Sequence, residues 1–141
     1  MLDLAAFRLG QVGIRSVRLE GGMSMEARAK AIATFTNDPD VPLFLMSLKA
    51  GGVALNLTAA SRTIIMDPWW NPAVEQQAQD RIHRLGQYRN VTSVRLCVAG
   101  SVEQRIVKLQ EKKAAIFEGT VGADNSALAR LTVDDLRFLF G

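Results

Sequence analysis

Arg81 and Arg84 are the residues of this 141-residue chain best suited to handling an anion. A guanidinium stays charged at physiological pH and bonds phosphate oxygens through a planar fork of donors. Together with Gln77 they fall at i, i+4 and i+7, so a helix would carry them as one polar stripe. Asp80 and His83 would share a neighbouring face with Gln76. The plainer alternative is a solvated helix face with an Asp80–Arg84 pair, and spacing alone favours it.

Two loops offer further chemistry. Ser47 is followed by Leu48-Lys49-Ala50-Gly51-Gly52-Val53, and Asp67 by Pro68-Trp69-Trp70-Asn71-Pro72. A glycine pair lets backbone N–H groups come close to phosphate oxygens, although a tight strand-to-helix turn is the commoner use of such a pair. Adjacent tryptophans in a loop cannot both face one core. One can pack while the other presents a stacking surface to a base or sugar, or both can cover a sheet edge.

Other chemistries find no support. The chain has one Cys and one His, which argues against a zinc site. It carries no Gly-x-Ser-x-Gly elbow, no Gly-x-x-x-x-Gly-Lys-[Ser/Thr] loop and no acidic quartet for Mg2+. Cys97 is expected to be a small buried hydrophobe in a strand. The residues thus read as half of a phosphate-handling site, with arginines and backbone donors but nothing to hold a metal.

The elements that must position these residues alternate between helix and strand patterns. Leu2–Leu9 is a helical segment without a start signal, and Ser16–Leu19 is a short strand. Ser24 caps a helix to Thr36, with Ala27, Ala31 and Phe35 on one face and Asn37-Asp38-Pro39 ending it. Leu43–Met46 and Ile64–Met66 are continuous apolar runs, expected to be strands covered on both faces of a parallel sheet. Asn71 caps a helix with Pro72 at its first position, expected to reach Arg84 before Gly86 stops it. Val91–Val98 alternates as a half-buried or edge strand. Ser101–Phe117 is a long helix whose stripe is Val102, Ile106, Leu109, Lys113 and Ile116, with Lys113 expected to snorkel. The order is that of an α/β fold. Ligands in such sheets bind beyond the carboxyl ends of the strands, where Ser47 and Asp67 lie.

The remaining bounds are broad. The chain is 48% hydrophobic and 22% charged, as in an ordinary globular domain. Its net charge of +3 permits nucleic-acid binding without arguing for it. A lone cysteine excludes an internal disulfide framework. No apolar run is long enough for a membrane span, and the N-terminus lacks a signal-peptide pattern, so an intracellular protein is expected.

Three strings carry a resemblance to a known family: Ser47–Leu57, Asp67-Pro68-Trp69-Trp70-Asn71-Pro72, and Gln77–Gln87. They resemble motif V, the loop after it, and motif VI of the second RecA-like lobe of Swi/Snf-type DNA-dependent ATPases, relatives of the superfamily-two helicases. Leu19–Ser24 with Arg28 is similar to the segment upstream of motif V, and Ser101–Lys113 to the helix that closes the lobe. Leu131–Phe140 resembles the C-terminus of the DNA-repair branch whose members often carry an inserted RING finger.

The resemblance implies a RecA-like helicase lobe at residues 1–117, a linker at 118–130 and a C-terminal amphipathic tail at 131–141. Arg81 and Arg84 would be arginine fingers for ATP bound on a first lobe, with Gln77 and Asp80 organising that face and Gly52 near the cleft. Ser47, Lys49 and Trp70 would contact the backbone of double-stranded DNA without reading sequence. Ala54 stands where the family usually has glycine. ATP and Mg2+ would be held with the first lobe, and the first lobe, DNA and repair or chromatin proteins are the implied partners. The resemblance places the protein in the nucleus, away from membranes.

It also implies that the lobe's opening strand lies before Met1. The first lobe and a Cys- and His-rich RING finger are not in the sequence. The chain alone is therefore expected not to hydrolyse ATP. The alternative from another class is a non-catalytic remnant lobe that docks on DNA or protein.

Overall fold

In a computed structural model, residues 1–48, 55–118 and 131–141 are described. Lys49, Gly52 and Ala54 lie outside the described residues, as does the expected linker beyond Glu118. The chain divides into two compact units. One comprises Met1–Ala60 and Arg81–Arg89, the other Ser61–Asp80 and Asn90–Gly141.

The first unit runs α1 (Leu2–Gln11), β1 (Ser16–Leu19), α2 (Met25–Asn37) and β2 (Leu43–Met46). β1 and β2 pair in parallel, Ser16 opposite Leu43 and Leu19 opposite Met46. The crossover between them is α2, as parallel pairing requires. Ser24 caps α2 by accepting a hydrogen bond from the Ala27 N–H at 3.2 Å. Phe35 of α2 meets Phe44 of β2 at 5.3 Å between ring centroids, tilted 59°. Leu19 is fully buried, with Ala31, Val41, Leu55, Leu57 and Ile82 as further core residues. Met1 provides no side-chain cap for α1. Arg18 of β1 compensates by pairing with Asp3 at 2.8 Å.

The second unit runs β3 (Arg62–Ile65), α3 (Pro72–Gln79), β4 (Thr92–Arg95), α4 (Val102–Glu118) and α5 (Val133–Phe140). β3 and β4 are also parallel, with Arg62 opposite Thr92 and Ile65 opposite Arg95. Asn71 accepts from the Ala73 N–H at 3.0 Å and Pro72 opens α3, as the sequence predicts. α5 begins with a reciprocal capping box between Thr132 and Asp135. Among the described residues of this unit, Ile65, Leu109 and Leu139 are buried, accompanied by buried Asn71, Glu75, Gln110 and Lys113.

Parallel strands with helices confirm the α/β reading, but three expectations change. α3 ends at Gln79 and does not reach Arg84. Past it the backbone turns: the Arg84 N–H, which a continuing helix would direct to Asp80 O, donates to Ile82 O at 3.1 Å, and Arg81 O accepts from the Leu57 N–H at 3.1 Å. The apolar strands are not covered on both faces, since β2 is half-buried throughout and Ile64 is exposed. Each strand has one paired neighbour among the described residues, and apolar composition marks a capacity for burial without supplying cover. Cys97 is exposed and lies past the end of β4, so it is not a core hydrophobe.

Candidate functional site

In the first unit, residues Arg81–Arg89 form a turn-rich segment held against residues 55–60 by side chain to backbone bonds. Arg84 Nη1 donates to Leu55 O at 3.3 Å. Gln87 Nε2 reaches three carbonyls, Ala60 O at 2.7 Å, Thr58 O at 3.1 Å and Ile82 O at 3.4 Å. Arg89 donates to Ala59 O, and its own N–H is accepted by Gln87 Oε1 at 3.0 Å. Ile82 anchors the turn in the core. Gly86 closes it with φ +97°, a left-handed conformation that suits glycine.

Arg81 therefore stands at the start of a braced turn, not on a regular helix. Its Nε is buried and has no hydrogen-bond partner among the described residues. A buried guanidinium donor without an acceptor is costly in a finished fold and suits a site that receives an anion. Arg84 is exposed apart from its bond to Leu55 O. The i, i+4, i+7 stripe from Gln77 is thus broken, because only Gln77 remains helical.

Ser47, just past β2, is half-buried and makes an interaction of its own. Arg28 organises the turn that precedes α2, donating to Gly21 O at 2.8 Å and, through Nε, to Met23 O at 3.1 Å.

In the second unit, Gln77 is exposed on α3, and Asp80, its C-terminal cap, accepts from Gln76 Nε2 at 3.0 Å. The Trp69-Trp70 loop leads into the same helix. Its rings lie 6.0 Å apart, tilted 35°. Trp69 is the more exposed of the two, and the Lys113 ammonium sits 5.5 Å from the Trp70 ring centroid. The loop backbone is fixed by Glu75, whose Oε1 accepts from the Trp69 N–H at 2.7 Å and from Gln110 Nε2 at 2.8 Å. Gln110 also donates to Trp69 O. Arg95 neutralises Glu75.

Sequence reading missed this buried hub, along with Gln87 and Arg89. Glu75 and Gln110 look like solvent-facing helix residues until the fold brings them together. Among the described residues no cluster of His, Cys, Asp or Glu could hold a metal ion. No described helix is long and apolar enough to cross a membrane.

Comparison with known proteins adds an independent line. Residues 1–86 match the helicase conserved C-terminal domain family. The chain is 53% identical over 140 residues to the ATP-dependent helicase rhp16 of Schizosaccharomyces pombe, covering 99% of this chain and 16% of that protein. It is 46% identical to DNA repair protein rad8 of the same yeast and 44% identical to DNA repair protein RAD5A of Arabidopsis thaliana, covering 99% of this chain and 12% and 13% of those proteins. It therefore spans a small part of the relatives' length. Among solved structures, it is similar to the C-terminal part of the Fun30 ATPase domain, with a TM-score of 0.75, 33% identity and coverage of 95% of this chain and 38% of that one. It is also similar to the Sulfolobus solfataricus SWI2/SNF2 ATPase core domain, with a TM-score of 0.66, 32% identity and coverage of 94% and 26%.

Proposed function

The chain belongs to the helicase conserved C-terminal domain family, among Swi/Snf-type DNA-repair helicases with a RecA-like C-terminal lobe, and from that premise we propose that it is the second lobe of a nuclear, DNA-dependent ATPase that moves on duplex DNA. Residues 1–117 are read as the lobe, 118–130 as a linker and 131–141 as its C-terminal segment.

The observation that carries this reading is the Arg81 guanidinium, whose buried Nε lacks an acceptor in a turn pinned by Gln87 and Arg89. A turn braced in this way holds its charge without reorganisation, which is what stabilising a developing negative charge requires. ATP, bound with Mg2+ on a first lobe, supplies the phosphoryl bond whose hydrolysis drives movement. Arg81 and Arg84 contribute positive charge toward its phosphates. Gln77 and Asp80 organise a polar face of their own. Ser47, Lys49 and Trp70 contribute contacts to the DNA backbone, which give salt-dependent binding without sequence preference.

The test uses a protein carrying this chain together with its first lobe. Arg81→Ala and Arg84→Ala should each lower DNA-stimulated kcat by about 10³-fold or more, with DNA and ATP affinity changed far less. Lysine at either position should rescue poorly, because a point charge cannot bond in a fork. Trp70→Ala should leave basal turnover nearly unchanged and remove its stimulation by DNA. Folded arginine variants that keep wild-type turnover would remove both residues from the phosphate site.

A further inference from the structure

Lys113 occupies the apolar stripe of α4, and its side chain is only 10% exposed. A buried ammonium is tolerated when a counter-charge and hydrogen bonds replace its water. The counter-charge comes from α5: Asp135 Oδ2 lies 3.0 Å from Lys113 Nζ. The ammonium also sits 5.5 Å from the Trp70 ring centroid.

Asp135 is itself held rigidly. It is the third helical residue of the capping box, where Asp135 Oδ2 accepts from the Thr132 N–H at 2.9 Å and Thr132 Oγ1 accepts from the Asp135 N–H at 3.1 Å. The far end of α5 is also tied to α4. Arg105 Nη1 donates to Leu139 O at 3.1 Å, and Leu139 is buried. On the loop side, Gln110, three residues before Lys113, bonds Trp69 O and Glu75. Residues at i and i+3 share a helix face. One face of α4 therefore fixes the loop backbone through Gln110 and meets the Trp70 indole through Lys113.

We propose that α5 positions Trp70: Asp135 holds the Lys113 ammonium over the indole, so the placement of Trp70 depends on α5 being docked. Asp135 and Lys113 are positioning residues. Without the carboxylate the ammonium loses a counter-charge and is drawn from the ring toward water, and the indole loses that contact. The consequence for DNA rests on the reading of Trp70 as a DNA contact, whereas the coupling of α5 to Trp70 does not.

The chain contains two tryptophans, so Trp69→Phe leaves Trp70 as the sole reporter and Trp70→Phe leaves Trp69. In the full chain, Asp135→Asn should shift Trp70 emission to the red and increase its quenching by acrylamide, with little change at Trp69. Lys113→Arg should keep the wild-type signal, since guanidinium can serve both the pair and the ring. Thr132→Ala, which weakens only the cap, gives a milder release in case Asp135→Asn unfolds the unit; circular dichroism and hydrogen exchange at residues 132–140 report which has happened. A Trp70 signal unchanged while those amides lose protection would overturn the proposal.

Binding to a short DNA duplex separates the two ideas. A several-fold loss of affinity on Asp135→Asn supports both. A changed Trp70 signal with unchanged affinity leaves the coupling standing and removes Trp70 from the DNA contact.

Discussion

Glu75 and Arg95 form a two-point ion pair: Arg95 Nε and Nη2 both donate to Glu75 Oε2, at 3.0 and 2.6 Å. The carboxylate side chain is 2% exposed and the guanidinium 34%. The pair joins α3 to the end of β4, while Oε1 serves the Trp69 N–H and Gln110. Every strong acceptor site of this buried carboxylate therefore has a use, which is the condition under which a buried charge is tolerated.

Glu75→Ala removes the acceptor that the Trp69 N–H and Gln110 share and frees Arg95 to rehydrate. The expected cost is roughly 3 kcal/mol, at the low end for a broken buried pair because Arg95 is partly exposed. Glu75→Gln keeps one acceptor and should cost less. Urea midpoints for both variants measure the order. An alanine variant as stable as wild type would show that the hub does not hold the loop.

Gly86 should resist replacement for a backbone reason alone. A Cβ there meets nothing within 4 Å, yet φ is +97°. Gly86→Ala should therefore cost about 1–3 kcal/mol in strain. Gly86→Asn should cost less, because asparagine enters positive φ more readily. Thermal melts of the two variants distinguish strain from crowding, which would penalise the larger asparagine more.

Acid should weaken the docking of α5. Burial raises the Asp135 pKa, but the Thr132 N–H, the Lys113 ammonium, the Thr132 hydroxyl and the Lys113 charge together bring it below its ordinary value of 3.8. A carboxyl whose folded pKa is depressed contributes stability that is fully present above its unfolded pKa. That contribution is lost as pH falls through the folded value. Among the described residues, the facing groups are Lys113 from α4 and Thr132 at the cap, while the Asp134–Arg137 pair on α5 is solvent-exposed. The stability difference between wild type and Asp135→Asn should stay constant down to about pH 5 and shrink below pH 4. A difference independent of pH across that range would mean that the charge of Asp135 does not matter to the docking.

Much of the local structure is determined by neighbouring residues and so is legible in the sequence. Ser24 and Asn71-Pro72 start α2 and α3 because a side-chain oxygen or a fixed φ satisfies the first turn regardless of what lies beyond it. The box at Thr132-Val133-Asp134-Asp135 is equally local, and its spacing was a signal available for α5. The strings around Ser47, Trp70 and Arg81 were enough for the family, since chain order alone carries a motif.

Only the tertiary structure decided the rest, because it depends on partners distant in sequence. α3 ends at Gln79 and the residues after it turn, with Arg81 O accepting from the distant Leu57 N–H and the Arg84 N–H bonding Ile82 O, and no helix propensity records those bonds. Glu75 is buried because Arg95 and Gln110, 20 and 35 residues away, converge on it. Lys113 reads from the sequence as a flaw in an apolar stripe that must snorkel to water. Asp135 reverses this by supplying its charge from α5, and the ammonium stays buried beside Trp70.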